Sequence, residues 1–322
     1  MKTKACTVLL AVFLLCLIPR TAHAFWIWTP ETNRWVNPKY AVKDTPQEQL
    51  KYAADFYQQG QLERAVAEFQ RLIKQYPRAR EAAEAQFYIG EIYEKQQRYF
   101  DAYKAYQVVI EKYPFSERGA DIIKRQYDIG NLLLEGKEKR SKIVTTIVGG
   151  EYDVIEVFRT VIKNAPYGPY AAPSQYKIGL YLQEKQLYQE ARDEFEKTLN
   201  DYPETEWAKA AEYQIAMADA QRSSNAQYDQ KVTQAAVDQF KEFVEKYPDA
   251  ELTDDARNKI AELRNKEAEN NFVVAQFYQK QKRYDAAKVY YNSIVTDYQN
   301  TPWATRALEQ LRRLNTLETK VK

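Results

Sequence analysis

The sequence predicts an all-α fold in which about six helix pairs stack one against the next. Three observations support this prediction. A Tyr-Pro pair, or a degenerate copy of one, recurs six times, and small and aromatic residues recur at fixed distances before each copy. Glycine is scarce, with 9 residues in 322, while the 26 tyrosines are suited to packing between helices.

The repeat is clearest when it is read backwards from Pro114. Tyr106 lies 8 residues before this proline, Ala102 lies 12 before it and Gly90 lies 24 before it. This order of small, aromatic and proline positions is typical of tetratricopeptide repeats. The sequence therefore predicts a right-handed tetratricopeptide-repeat solenoid. The equivalent positions in later copies are Gly179, Ala191, Phe195, Pro203, Ala275 and Ala287.

Each repeat position has a physical role in this prediction. Small residues let the two helices of a pair approach closely, and the aromatic residue is expected to fill the space between one pair and the next. Proline lacks an N–H and disfavours helix in the residue before it, so it ends the second helix of each pair. Because a single pair cannot bury its apolar face, the pairs must stack, and stacking leaves a concave surface free.

The repeat domain is predicted to span residues 47–315. Its pairs lie near residues 47–77, 82–114, 120–166, 173–203, 207–248 and 252–311. The third pair carries an insertion at 137–153, whose role the sequence leaves open. After Pro248 the spacing between repeats is stretched, and residues from Asp254 to Phe272 keep helical periodicity, which predicts one long helix.

Residues 1–24 have the pattern of a cleaved export signal. Two early lysines precede an uncharged run from Ala5 to Ile18, and Ala22-His23-Ala24 offers small residues at a cleavage site. The run is too short for a comfortable membrane span, although an uncleaved anchor is the alternative. Leucines flank Cys16, so the sequence around it does not resemble a lipid-attachment site.

The composition of the mature chain excludes several classes of function. Both cysteines and the single histidine lie in the predicted signal, so no cofactor, thiolate or imidazole metal site or Ser-His nucleophile is expected. The remaining carboxylates, such as Asp254-Asp255 and Glu267 with Glu269, are expected on solvated helix faces. The chain has 47 basic and 45 acidic residues, which predicts no nucleic-acid binding. We therefore expect a protein that is not an enzyme.

The aromatic segment at residues 25–46 differs from the repeats. Trp26 and Trp28 precede a turn-rich stretch and Trp35 follows it, which predicts a small β-hairpin. One interpretation is a cap on the first repeat. The other is contact with a membrane surface or a partner through residues 25–36, because tryptophan suits half-wet interfaces.

Proline-aromatic clusters on two turns are candidate polypeptide-binding residues. They are Tyr113 and Phe115 on one turn, and Tyr167, Pro169 and Tyr170 on the other. Proline and glycine commonly shape turns, so packing within the turn is one interpretation of these clusters. The other interpretation is a hydrophobic pocket for an extended polypeptide.

Several stretches between about Ala165 and Leu311 carry a family resemblance. They are Tyr167-Gly168-Pro169-Tyr170-Ala171, then Ala235 to Phe240 before Tyr247-Pro248, and Val274 to Tyr278 before Arg283 to Ala287. Their order and spacing resemble the BamD-like family of tetratricopeptide-repeat proteins that assemble the outer membrane. The resemblance covers about half of the mature chain.

This resemblance implies two kinds of partner. The C-terminal repeats would dock a β-barrel insertase, with Tyr290, Arg312 and Arg313 as candidate contacts, and the N-terminal repeats would hold unfolded outer-membrane proteins. The family's Asn-Arg pair for the insertase contact falls at about Val289-Tyr290, so the chain departs from the family pattern there.

The predicted function is a periplasm-facing scaffold for assembly and insertion of outer-membrane β-barrel proteins. The protein is expected to be exported to the periplasm or to the periplasmic face of the outer membrane. The alternative is a periplasmic tetratricopeptide adaptor for cell-wall synthesis or cell-division complexes. Such adaptors usually carry a coiled coil before the repeats, whereas residues 25–46 contain three prolines.

Overall fold

The computed structural model describes residues 26–29, 34–36, 42–137, 154–225 and 230–321. Over these residues the chain forms thirteen α-helices and one two-stranded hairpin, so the predicted all-α class is confirmed. The predicted signal and most of the insertion at 137–153 lie outside the described residues. The helices are α1 (Pro46–Gln58), α2 (Leu62–Gln75), α3 (Arg80–Lys95), α4 (Tyr99–Lys112), α5 (Gly119–Leu134), α6 (Val154–Asn164), α7 (Ala171–Glu184), α8 (Tyr188–Asp201), α9 (Glu206–Asn225), α10 (Gln230–Lys246), α11 (Thr253–Lys280), α12 (Tyr284–Asp297) and α13 (Pro302–Val321).

The predicted N-terminal hairpin is present. Strand β1 (Ile27–Thr29) pairs antiparallel with β2 (Arg34–Val36), and Trp28 lies directly opposite Trp35. Their ring centroids are 5.6 Å apart in an edge-on arrangement, a geometry that favours aromatic pairs. Both rings remain exposed to solvent.

The chain divides into two compact units, residues 1–92 and 93–322. In the first unit α1 packs against α2, whose Phe69 is fully buried and stacks on Tyr88 with ring centroids 5.2 Å apart. The buried amide of Gln49 donates to the carboxylate of Glu68 at 3.0 Å, so this interior polar group has a partner. A satisfied buried hydrogen bond avoids the desolvation penalty of a lone amide.

In the second unit each helix from α4 to α13 packs against the next one in the chain. Helices α7 and α9, which begin neighbouring pairs, also pack against each other, as do α11 and α13. This is the contact pattern of stacked helical hairpins, in which every pair buries its apolar face against its neighbours.

The glycine and aromatic positions of the repeat meet inside one pair. A Cβ added to Gly179 on α7 would lie 2.5 Å from Cε1 of Phe195 on α8. The third pair repeats this arrangement, because a Cβ at Gly130 would lie 2.6 Å from Phe158. The aromatic ring therefore occupies the space above the glycine of its own pair, whereas the sequence pattern led us to expect it between pairs.

Helix α11 is a single helix of 28 residues, which confirms the predicted long helix. Its N-terminal part contributes Leu263 to a core shared with α9 and α10. Its C-terminal part contributes Phe272 to a second core shared with α12 and α13. Glu267 lies between these residues with only 3% of its surface exposed, so the prediction that it lies on a solvated face was wrong.

Candidate polypeptide-binding surfaces

Two of the predicted turn aromatics project into solvent. Phe115 follows α4 and is 99% exposed, and Tyr167 follows α6 and is 98% exposed. Each comes directly after a proline, which ends the preceding helix. At the second turn a Cβ on Gly168 would lie 3.0 Å from the Ala165 Cβ, so glycine relieves crowding in this tight bend. The bend leaves the Tyr167 ring free to contact another polypeptide.

The other two predicted turn aromatics serve packing. Tyr113 is half-buried at the end of α4, and burial raises the pKa of its phenol. Tyr170 stacks on Tyr127 of the preceding pair, with ring centroids 5.0 Å apart and planes 30° apart. Packing within the repeat is therefore the interpretation that the contacts favour for these two residues.

A cleft of about 420 Å³ lies beside the exposed Tyr167. It is formed by the turn after α6, the turn after α8, and the first residues of α7 and α9. Its lining residues are Tyr167, Gly168, Pro169, Ala172, Pro173, Tyr202, Thr205, Glu206 and Trp207. Among them Glu206 alone carries a charge, so the cleft is largely apolar with an acidic residue at one side.

The sequence predicted part of this cleft and missed the rest. Tyr167 and Pro169 are among the predicted binding residues, whereas Trp207 is not. The Trp207 ring does pack on Tyr176, with centroids 5.4 Å apart, and it also forms one wall of the cleft. Tyr202 was treated only as part of the Tyr-Pro signature. The signal that could have found Tyr202 is the recurrence of a tyrosine before four of the turn prolines.

Helices α11 and α12 carry exposed apolar residues next to the predicted Tyr290 and to its stacking partner Tyr278. The Tyr290 ring itself stacks on Tyr278, with centroids 5.6 Å apart, and is partly buried. Its neighbour Val289 is 67% exposed, and Phe277 is 55% exposed beside Tyr278. Val273 is exposed one helical turn before Phe277, so these two residues share a face of α11.

We call Val273 and Phe277, which share a face of α11, the C-terminal apolar surface. Sequence reasoning missed it because it sought a charged or aromatic contact at Tyr290. The spacing of Val273 and Phe277 was the available signal. The predicted contacts Arg312 and Arg313 are exposed on α13, and their role stays a prediction.

Two further chemical roles were sought among the described residues. They contain no cluster of His, Cys, Asp or Glu with an arrangement that could hold a metal ion. None of the thirteen helices combines the length and the apolar character that a bilayer span requires.

Comparison with known families identifies the chain. The family model described as YfiO, outer membrane lipoprotein, matches residues 153–320, which is more than half of the sequence. The chain belongs to the YfiO family. This match confirms the predicted resemblance to a BamD-like family. A tetratricopeptide-repeat model matches residues 51–117, which confirms the predicted repeat fold. The YfiO match begins well after Cys16, so it does not bear on lipid attachment at that residue.

Several solved tetratricopeptide-repeat proteins also align with this YfiO-family chain. A repeat protein from Bacteroides fragilis is 12% identical, with 68% of this chain and 98% of that chain covered and a TM-score of 0.44. One from Cytophaga hutchinsonii is 16% identical, with 82% and 88% covered and a TM-score of 0.37. YrrB, titled a TPR protein with an unusual peptide-binding site, is 15% identical, with 69% and 94% covered and a TM-score of 0.33. A search of curated proteins found no match.

Proposed function

We propose that this YfiO-family protein is a periplasm-facing scaffold for the assembly and insertion of outer-membrane β-barrel proteins. It binds unfolded client segments at one surface and a β-barrel insertase at another. The observation that carries the proposal is the apolar cleft beside the exposed Tyr167, on a fold that typically binds proteins. The family's description as an outer membrane lipoprotein supports the location at the periplasmic face.

The cleft suits an extended segment with an aromatic residue. Its volume of about 420 Å³ lies within the range of about 300–1,000 Å³ that is usual for ligand pockets. Tyr167 and Trp207 offer ring faces, and Pro169 and Pro173 offer rigid apolar edges. Burial raises the pKa of Tyr202, which keeps its phenol neutral and able to hydrogen-bond a peptide group. Strands of β-barrel proteins alternate apolar and polar residues, so an unfolded strand can place alternate side chains in such a cleft.

The mechanism is positioning on a preformed surface. Phe115 and Tyr167 are already exposed on short turns, so binding a client does not require them to be released from a core. A preorganised surface lowers the entropic cost of ordering an unfolded segment. The C-terminal apolar surface is assigned to the insertase, because Val273 and Phe277 expose apolar area that a docked protein would bury.

The exposed tryptophans of the hairpin are assigned to the membrane face. Trp28 and Trp35 present exposed rings on a small β-hairpin. Tryptophan is favoured at membrane interfaces, since one part of its ring system is apolar and the other bears a polar N–H. This contact would hold the scaffold close to the bilayer in which its clients are inserted.

Changing Tyr167 to serine is expected to weaken client binding by about tenfold or more. A buried aromatic contact at the centre of an interface typically contributes about 2 kcal/mol or more. The measurement is fluorescence anisotropy of a labelled ten-residue peptide with alternating tyrosine and serine and a C-terminal phenylalanine. The melting temperature should stay unchanged, because the ring is 98% exposed in the free protein.

The matched control for this experiment is Val289→Ser, which alters an apolar residue of α12 that is 67% exposed. It should leave the affinity for the peptide as it is in the wild type. If Tyr167→Ser and Val289→Ser bind the peptide as tightly as the unaltered protein, the cleft is not the client site.

Changing Phe277 to serine is expected to weaken docking of the insertase by about tenfold or more. The side chain is 55% exposed, so a docked partner would remove it from water and its loss would cost about 1.5–3 kcal/mol of binding. Envelopes from cells that carry each variant are fractionated, crosslinked and analysed by mass spectrometry. Crosslinks to a barrel-type protein should decrease in Phe277→Ser and persist in Tyr167→Ser. Equal crosslinking in both variants, or crosslinks to cell-wall enzymes instead, would contradict the assignment.

A further inference from the structure

A polar cavity lies between α10 and α11. It is separate from the cleft beside Tyr167 and from the C-terminal apolar surface. Its volume is about 490 Å³. Helix α10 lines it with Gln234 and Asp238, which are one turn apart. Helix α11 lines it with Glu267 and Asn271, which are also one turn apart. Two polar stripes on neighbouring helices therefore face one space.

Glu267 is a buried carboxyl group in this cavity. Only 3% of its surface is exposed, and its Oε2 has no hydrogen-bond partner among the described residues. The Tyr298 phenol is a hydrogen-bonding neighbour of the same carboxyl group. Burial raises the pKa of Glu267, since a buried carboxylate loses hydration. A buried carboxylate with an unpartnered oxygen is costly unless a cation or a donor meets it.

The two cations whose charges act on Glu267 have other partners. Arg264 donates to the backbone carbonyl of Asp297 and lies over the Tyr298 ring at 5.0 Å from its centroid. Lys241 donates to Asp238 at 3.1 Å. Both cations act on Glu267 through space and lower its pKa, but burial outweighs them. Neither cation satisfies Oε2.

The cavity favours a ligand that carries positive charge and hydrogen-bond donors. Asp238 stays ionised, because a hydrogen bond from Gln234 and the nearby Lys241 lower its pKa. Two carboxyl groups thus line the cavity with one ammonium, that of Lys231. Lysine and arginine side chains carry only donors, which complements the unpartnered carboxyl oxygen.

We propose that this cavity binds a lysine or arginine side chain of a partner polypeptide, with Glu267 as the ion-pair partner at its floor. A hard metal ion is a poorer fit, because calcium takes about 6–8 oxygen ligands and the described residues include no acidic cluster of metal-site geometry. This proposal rests on the proposed function in one respect, which is that the protein binds polypeptides. It adds a charge-specific contact that neither the cleft nor the C-terminal apolar surface provides.

The experiment uses three fluorescein-labelled hexapeptides with one arginine, one lysine or one glutamine in the same Gly-Ser background. Anisotropy titrations of the full chain should detect binding of the arginine or lysine peptide and no binding of the glutamine peptide. Glu267→Gln should weaken that binding at least about tenfold, the effect of losing a charge-assisted contact of about 1.4 kcal/mol. Asp238→Asn, at the exposed rim, should weaken it by a smaller factor and serves as a second variant.

The controls separate this site from a structural role and from the cleft. Glu262→Gln changes an exposed glutamate of the same helix, paired with Lys259 at 2.9 Å, and should leave binding unchanged. Glu267→Gln should keep or raise the melting temperature, because it removes an incompletely partnered buried charge. If Glu267→Gln lowers the melting temperature but leaves the peptide affinity unchanged, the proposal is overturned. Equal binding of the glutamine peptide would also overturn it. So would displacement of the arginine or lysine peptide by calcium chloride at equal ionic strength.

The same variants distinguish failure of the proposed cation-binding cavity from failure of the proposed client-binding cleft. Tyr167→Ser should leave the arginine and lysine peptides bound as in the wild type, while Glu267→Gln should leave the aromatic client peptide bound. Loss of both peptides in either variant would mean that one shared surface, and not two, recognises polypeptides.

Discussion

Replacing Phe195 by alanine is expected to lower the free energy of unfolding by about 3–5 kcal/mol. The ring is fully buried, lies over Gly179 and packs on Tyr176 with centroids 5.5 Å apart. Its removal loses the transfer free energy of the ring and leaves a cavity between α7 and α8 that rigid helices cannot close. Urea denaturation followed by far-ultraviolet circular dichroism measures the change.

The matched control is Phe115→Ala, the same substitution at a ring that is 99% exposed. It should change the free energy of unfolding by less than about 0.5 kcal/mol, as is usual for surface sites. Because stacked repeats can open locally, hydrogen exchange of α7 and α8 should report the same loss for Phe195→Ala. A similar small effect for both variants would mean that the two helices do not pack through this ring.

Replacing Gly179 by alanine is expected to lower the free energy of unfolding by about 3 kcal/mol, at the upper end of the range for overpacking. The added Cβ would lie 2.5 Å from one ring carbon of Phe195 and 2.6 Å from another, so the ring or the helix must move. Alanine is intrinsically better than glycine in a helix by about 0.5–1 kcal/mol, which offsets only part of the cost. The same urea titration measures the outcome.

Two comparisons identify the cause of this effect. Gly119→Ala adds a methyl group where no atom lies within 4 Å, so it should be neutral or stabilising. In a Phe195→Ala background, Gly179→Ala should cost far less, because the ring that it would meet is gone. Contacting residues are expected to show such coupling, and additive effects would contradict the packing described for this pair.

The sequence identified the turns that carry exposed aromatics but could not rank the residues within them. Tyr167 and Tyr170 lie three residues apart on one turn, and the pattern treats them alike. Tyr170 is half-buried because Tyr127, far away in sequence, provides a ring on which it stacks. Tyr167 has no such neighbour and is exposed. The difference depends on tertiary contacts that local spacing does not encode.

Glu267 is a charged residue whose burial the local sequence does not predict. The sequence around it is strongly charged, and charged stretches of helices usually lie on solvated faces. Helix α11 packs against α10 on one side and against α12 on the other, so part of its charged stretch is covered. Phe277 and Val273 lie on a face of α11 that neither neighbouring helix covers, so they are exposed. Apolar residues of a helix usually lie on its buried face, so the sequence alone does not indicate this exposure.

The sequence by itself determined the all-α repeat fold, the N-terminal hairpin, the long helix α11 and the resemblance to the family. These features follow from the spacing of residues along the chain, either within a helix or from one repeat to the next. The geometry of the local chain sets that spacing. Only the tertiary structure decided that Tyr167 is exposed, that Trp207 forms a cleft wall and that Glu267 is buried. Exposure depends on which distant helices cover a side chain, and that is fixed when the pairs stack.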